Sequence, residues 1–324
     1  MKQIYKIMLV ILILSTQAQA STTRIQTIHI SKGWNAVFIE VKPVNPAPDS
    51  VFQETPVDQV FTYYPKKSSI QYIQEPDEID IKNDGWSRWV RPENNDSFLN
   101  SIFQILPGHA YLIHSKENFT WKLSGNAYFK QEAWQPDSFN LSGFYVNPDD
   151  PPTFASFFQH SEAHKPIIVY NLVNDLWQQM KDPETVLIES GKAYWIYSKG
   201  GSDYHSPTRI TLPLNADGLS FGIEKTTSKI HLVNKTDLPL DITIQQMEGS
   251  QTDNCPVFID KTLYQGKRIY EPLGTMRKTI ESESTMAISL MIREGEISES
   301  FCGKVLQIND NQGSLFYIPI SVQQ

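Results

Sequence analysis

The phrase PGHAYLIHSK at positions 107–116 returns 83 residues on, at 190–199, as SGKAYWIYSK. Gly108 matches Gly191, Ala110 matches Ala193, Tyr111 matches Tyr194, Ile113 matches Ile196, Ser115 matches Ser198 and Lys116 matches Lys199. Self-similarity at a fixed spacing means that one supersecondary unit is used more than once. Upstream, WNAVFIEVKPVNPAPDSVF from Trp34 aligns without a gap on FNLSGFYVNPDDPPTFASF from Phe139. That alignment has an offset of 105 and matches Asn35 with Asn140, Val41 with Val146, Pro43 with Pro148, Pro46 with Pro151 and Phe52 with Phe157. The fall in offset from 105 to 83 places 22 extra residues in the first copy, around the polar stretch 68–84, which reads as a surface loop.

Between these ends each copy has a Tyr-bearing apolar strand, VFTYY at 60–64 and IIVYN at 167–171. A turn and a Trp segment follow, GWSRWV at 85–90 and NDLWQQM at 174–180. Each copy therefore reads as strand, Pro-rich crossing, strand, hairpin strand, strand. In the last of these, Ala193, Trp195 and Tyr197 alternate with Tyr194 and Ile196, so both faces are apolar and the strand is expected to be covered on two sides. Gly108 and Gly191, just before it, suit a turn or a close backbone approach.

The Gly-Trp-Asn opening at 33–35, the Pro-rich segment leading to Phe, the Trp hairpin and the closing Gly-x-Ala-Tyr-Trp strand resemble the tandem "GWN…GYW" modules of secreted bacterial proteins. The resemblance covers roughly residues 25–205. It implies a structural module that often stands beside immunoglobulin-like domains, and it brings no catalytic residues. The second copy has Ser138 for Gly33 and Phe139 for Trp34, and the first has Leu112 for Trp195, so these columns read as core positions that take any large apolar side chain.

From about residue 206 the pattern changes to regular alternation: ITLPL, KIHLVN, LPLDITIQQ, CPVFID, TMAISLMIRE, CGKVLQIND, SLFYIPISV. Some seven short strands in about 120 residues are the pattern of an immunoglobulin-like antiparallel sandwich. NDNQG at 309–313 is a hairpin turn joining the last two strands, and STMAISLMIRE resembles a strand next to the edge of bacterial surface sandwiches. The expected fold class is all-β: two diverged copies of a small β module, at 21–130 and 131–205, followed by the sandwich at 206–324.

The opening MKQIYKIMLVILILSTQAQA combines Lys2 and Lys6, an apolar run and the ending Ala18-Gln19-Ala20. It reads as a signal peptide over residues 1–20, with a run too short for a bilayer anchor, which needs roughly 20 residues. The expected location is the periplasm or the exterior, with no membrane insertion of the mature chain. In such a compartment the two cysteines, Cys255 and Cys302, are expected to form a disulfide. A formal net charge of −8 without a Lys/Arg cluster argues against nucleic acid and anionic membranes as partners.

HSEAH at 160–164 spaces His160 and His164 four apart but lacks the Glu of HExxH, so it reads as a solvated turn and no metal ligand is assigned. EPDEIDIKND at 75–84 offers oxygens without calcium-loop spacing and reads as an acidic loop. GxSxG, P-loop, GxGxxG and paired-carboxylate signatures are absent, and no catalytic residue or cofactor is assigned.

The aromatics remain. Trp121, Trp134 and Trp177 near turns are expected to fill small cores, whereas Trp86, Arg88 and Trp89 beside the polar stretch are the candidate ligand-binding residues. Three apart, the two tryptophans lie on opposite faces of any regular strand, so both are exposed only in a loop or bulge. The expected function is binding, adhesion or scaffolding by a secreted, non-catalytic protein whose partner is an unknown protein or polysaccharide. The alternatives are a carbohydrate-binding accessory protein with an aromatic platform, and a hydrolase with its site between the repeats.

Overall fold

The computed structural model describes residues 22–64, 85–222, 225–247, 257–264, 267–293 and 301–323. The leader at 1–20, the polar stretch 68–84 and Cys255 lie outside the described residues. The fold is all-β, in three parts.

The first module opens with β1 (Thr23–Ile30), β2 (Gly33–Ile39), β3 (Val41–Pro43) and the one-turn helix α1 (Pro48–Val51). It continues through β4 (Val57–Tyr63), β5 (Trp86–Val90), β6 (His109–Ser115) and β7 (Phe119–Ala127). The second contains β8 (Ser138–Ser142), α2 (Phe154–Phe158), β9 (Val169–Val173), β10 (Leu176–Gln179) and β11 (Tyr194–Ser198). The sheet orders are β2-β6-β4-β5 and β8-β11-β9-β10, which is one order used twice: first, last, second, third.

The repeated columns are those that carry the local hydrogen bonds. The Leu106 amide donates to the Tyr111 hydroxyl at 2.8 Å, and the Glu189 amide donates to the Tyr194 hydroxyl at 3.1 Å. Ser115 Oγ donates to the Glu117 carbonyl as Ser198 Oγ does to the Gly200 carbonyl. The amides of Asn35 and Asn140 each close the turn before their strand, onto Ser31 and Gly33 or onto Gln135 and Ser138. Gly108 and Gly191 have φ of 73° and 77°, a region that favours glycine. Phe52 and Phe157, after the Pro-rich crossings, are both fully buried.

The first copy has a second sheet that the repeat did not announce, β1-β7-β3. It covers the face bearing Val37, Ile39, Val60, Tyr111 and Ile113 with Ile28, Ile30, Trp121 and Leu123. In the second copy α2 does this work, packing Phe154, Phe157 and Phe158 on Tyr194 and Ile196. The extra length of the first copy is also divided in two. Pairing Phe61 with Leu112 and Tyr170 with Trp195 sets β4 and β9 at an offset of 109, and the Tyr63–Trp86 and Leu172–Trp177 pairs set β5 and β10 at 91. One insertion therefore falls between β4 and β5, and a shorter one between β5 and β6.

The C-terminal part comprises β12 (Thr208–Thr211), β13 (Leu219–Gly222), β14 (Thr227–Asn234), β15 (Leu240–Gln246) and β16 (Val257–Tyr264). β17 (Lys267–Pro272), β18 (Met276–Ile280), β19 (Thr285–Ile292), β20 (Phe301–Asp310) and β21 (Leu315–Gln323) complete it. Two five-stranded sheets, β12-β14-β19-β16-β17 and β13-β21-β20-β15-β18, form an immunoglobulin-like sandwich. It has ten described strands instead of about seven, because β13, β17 and β18 escaped the alternation count. The 285–292 strand is central in its sheet and not next to an edge. β20 and β21 do form the expected hairpin, with the buried Asp310 carboxylate accepting from the Gln312 and Ser314 amides. Cys302 is buried in the sandwich core and is not a free thiol.

A buried ion pair joins the three parts. Arg24 Nη2 meets Glu40 Oε2 at 2.6 Å, while Glu40 Oε1 accepts from Ser190 Oγ at 2.7 Å and the Gly191 amide at 3.1 Å. The Arg24 guanidinium lies 4.3 Å from the Tyr317 ring centroid of the sandwich. Leaving one buried charge alone costs about 3–5 kcal/mol. Glu40→Ala is therefore expected to lower unfolding free energy by about that amount in urea titrations. Tyr111→Phe and Tyr194→Phe, which each orphan one equivalent amide, are expected to lose about 1–3 kcal/mol apiece.

Candidate functional site

Residues 86–89 form a regular strand. Trp89 therefore points away from Trp86 and into the first module's core, where it is 2% exposed, sits 5.2 Å from the Phe52 ring and donates its indole N–H to Asp49 Oδ1 at 2.7 Å. This corrects the assignment of Trp89 as a ligand-binding residue: burial withdraws it from solvent. Trp86 is half-buried on the opposite face, 5.4 Å from Tyr63 and 6.2 Å from Trp195 of the second module. Trp177, the positional twin of Trp86, approaches Trp195 to 6.1 Å from its own strand. Trp195 is fully buried, so these rings join the modules instead of forming a flat exposed platform. Arg88 lies on the edge strand β5, and its backbone is covered by its own chain: its amide donates to Ser101 Oγ, and its carbonyl accepts from the Ser101 and Ile102 amides.

The two four-stranded sheets pack against each other, with Trp195 of the second meeting Tyr63 and Trp86 of the first. A Cβ added to Gly143 would lie 2.3 Å from Phe38 Cβ, so the tightest approach of the modules requires glycine there. The Phe38 amide donates to the Gly191 carbonyl at 2.8 Å, and the Ala193 amide donates to the Ala36 carbonyl at 3.0 Å.

The duplication makes two positions equivalent, and they differ in content. Where Phe139–Ser142 face Tyr63 and Gly108, the inter-module chain at Glu132–Trp134 fills the space and leaves about 30 Å³. Gln131 Nε2 donates there to the Gly143 carbonyl, and His109 meets Glu132 at 2.7 Å. Where Trp34–Val37 face the β9–β10 hairpin, no segment of the described residues intervenes and a groove of about 540 Å³ lies between them.

The hairpin tip, Asn174-Asp175, takes φ of 50° and 65°, a primed turn that suits both residues. It delivers Asp175 Oδ1 to the Trp34 amide at 2.6 Å. Lys32 and Asn171 reach the groove with side chains that have no partner among the described residues, and Lys192 on the far wall pairs with Glu189 at 2.6 Å. Trp34 packs in tilted contact with Phe61 and His114, at 5.6 and 5.0 Å, and supplies an aromatic edge. The sequence reading missed this groove because only the pairing of the two copies creates it.

HSEAH is not a solvated turn. His164 is 1% exposed, because its short 3₁₀ turn sinks it into the second module's aromatic core against Trp134 and Phe158, at 4.6 and 4.5 Å. Ser161 Oγ and His164 Nδ1 are 2.6 Å apart, the spacing of a nucleophile and a base. Nε2, however, has no hydrogen-bond partner, no acid orients the ring, and both residues are buried. The pair therefore has the geometry of a core staple. His160 pairs with Asp237 of the sandwich at 2.7 Å. Among the described residues, no group of His, Cys, Asp and Glu could hold a metal ion.

No family model matches the chain, and no curated protein matches it. Among solved structures it is similar to the collagen binding subdomain of the Enterococcus faecalis surface protein ACE, at 12% identity over 38% of this chain and 99% of that one, with a TM-score of 0.19. A longer Enterococcus faecalis ACE structure covers 96% of this chain and 97% of that one at 10% identity and a TM-score of 0.21. The ASH/PapD-like domain 7 of human CEP192 covers 36% of this chain and 84% of that one at 10% identity and a TM-score of 0.24. Likeness at this level carries no argument about a ligand.

His205 stacks on the other side of Trp134 at 5.6 Å. Burial pushes both imidazoles down to about 4; His205 adds repulsion at His164, while Asp203 partly offsets the effect at His205. A group lowered on folding stabilises the fold fully above its unfolded value, near 6.5, and that stability is lost as pH falls toward 4. Urea titrations between pH 7 and pH 4 are expected to show a loss of about 3 kcal/mol from His164 alone, which His164→Gln removes from the pH dependence.

Proposed function

We propose that the chain is a secreted, non-catalytic binding protein of the bacterial envelope or exterior, built on tandem modules of the "GWN…GYW" type, and that it holds its ligand in the inter-module groove. One observation carries this reading: the groove at the open one of the two equivalent positions, lined by Trp34, Lys32, Asn171 and Asp175. An aromatic edge beside unpaired polar side chains is how ligand sites combine contact area with directional bonds. The equivalent position is filled by the chain itself.

The ligand class is a polymer, protein or polysaccharide, since the groove is open along its length between two rigid sheets. The disulfide between Cys255 and Cys302 belongs to the same reading, as an extracytoplasmic feature of the sandwich. A carbohydrate platform at Trp86 and Trp89 has less support, because those rings do not share a face.

The test is retention of residues 22–324 on immobilised polysaccharides and envelope proteins, with Lys32→Glu and Asn171→Ala set beside Lys165→Glu, a change to an exposed residue outside the groove. Retention is expected to weaken about tenfold in each groove variant and to stay unchanged in Lys165→Glu. Equal retention of all four proteins, or turnover of the retained polymer, overturns the reading.

A further inference from the structure

The duplication supplies an internal control for the sheet edges. β5 and β10 are the equivalent edge strands, and Arg88 and Gln179 are equivalent positions on them, opposite Phe61 and Tyr170. In an antiparallel ladder, alternate residues turn their N–H and C=O away from the partner strand. Tyr64 donates to Gly85, and Met180 donates to the Val169 carbonyl, which fixes the phase in each hairpin. Arg88 and Val90 turn outward on β5, and Trp177 and Gln179 turn outward on β10.

On β5 the outward groups of Arg88 and Val90 are taken by an extended stretch of the same chain, while those of Trp86 have no hydrogen-bond partner among the described residues. Ser101 and Ile102 answer Arg88, and the Asn100 amide answers both the N–H and the C=O of Val90. Ile102 and Ile105 then anchor the stretch in the core. The second module lacks the longer β5–β6 connection. After β10 its chain turns at 182–186 onto the start of α2, and no hydrogen bond among the described residues reaches the outward groups of Trp177 or Gln179.

We propose that the β10 edge takes an extended peptide segment of a partner protein as a fifth strand, at the position where residues 100–102 answer β5 through a mixture of side-chain and main-chain bonds. Such an edge gives affinity through main-chain bonds and specificity through alternate side chains. Leu176, 66% exposed, offers an apolar contact on one face, and the half-buried Trp177 offers one on the other. Asp175, Asp182 and Glu184 outnumber Lys181 along the hairpin and its continuation, so the fitting segment is neutral or basic, with apolar side chains in alternation. The surface is distinct from the groove, which lies along β9 and the hairpin tip.

The probe is a fluorescein-labelled peptide of residues 97–106, whose own seat on β5 is already filled. Saturable polarisation is expected with the whole protein. Gln179→Pro, which removes an outward N–H and leaves the β9 ladder intact, is expected to weaken it at least tenfold, whereas Gln178→Ala leaves it unchanged. Hydrogen exchange on the wild type gives a reading that does not depend on the variant folding: the Trp177 and Gln179 amides are expected to gain protection with peptide. Absence of saturable binding, equal binding by Gln179→Pro, or unchanged exchange at both amides overturns the proposal. So does a wild-type dimer that Gln179→Pro converts to monomer, because the edge would then belong to a second copy.

Discussion

A carboxylate withdrawn from water must have its charge and its lone pairs answered, and Glu40 is answered from both modules, through an arginine that itself lies on the sandwich. Arg24 of β1 supplies the charge, Ser190 and Gly191 of the second module supply two donors, and Arg24 in turn lies on Tyr317 of the sandwich. Gln26 locks the same point by donating to the Phe38 carbonyl and accepting from the Glu40 amide. The desolvation of such a pair is repaid only if its geometry is kept, so the relative position of the parts is fixed with it. Main-chain bonds extend the junction: Leu315 donates to Tyr145, and Asn147 donates to Gly313. The largest apolar cluster follows suit, running from Phe38 and Ala110 through Tyr145 and Ala193 into the sandwich at Phe316 and Ile318. Three β units that could have hung as beads are instead one packed body.

Within that body, the duplication produces differences as well as likeness. Gly143 stands where the first copy has Phe38, and a single sheet-to-sheet contact needs one bulky and one absent side chain. Two identical modules could not meet this closely. Once the copies differ at the contact, their flanking segments are free to differ too: among the described residues, one inter-module position is filled by the linker and the other is a groove, and the β5 edge is answered by its own chain at Arg88 and Val90 while the β10 edge is not.

Much of this was legible in the sequence, and its limits have physical causes. Columns that recurred did so because each performs the same local bond twice: Tyr111 and Tyr194 hold a preceding amide, Asn35 and Asn140 close a turn, and Gly108 and Gly191 take left-handed φ. Local bonds leave local patterns. The opposite placement of Trp86 and Trp89 also followed from strand periodicity, and strand periodicity is what removed Trp89 from the candidate site. His164 was misread because HSEAH is polar in composition, and composition does not reveal that α2 folds the segment back under Trp134. The β1-β7-β3 sheet was hidden for a similar reason. It pairs residues about a hundred positions apart, and only the pairing turns the alternation of TRIQTIHI into a cover for the first module.

The groove is the extreme case of that rule. Its walls come from β2 of one copy and a hairpin of the other, so the residues that face each other across it are far apart in the chain. The bond from the Trp34 amide to Asp175 is the one direct strut across its mouth. Gly33 permits that strut, since an added Cβ would come within 2.7 Å of the Asp175 carboxylate. In the second copy Ser138 occupies the place of Gly33, and the first copy's β4–β5 connection is far longer than the two-residue turn that carries Asp175. The Gly-Trp opening of the first copy is therefore more than a family signature. It receives the other copy's hairpin, and the groove lies beside that contact.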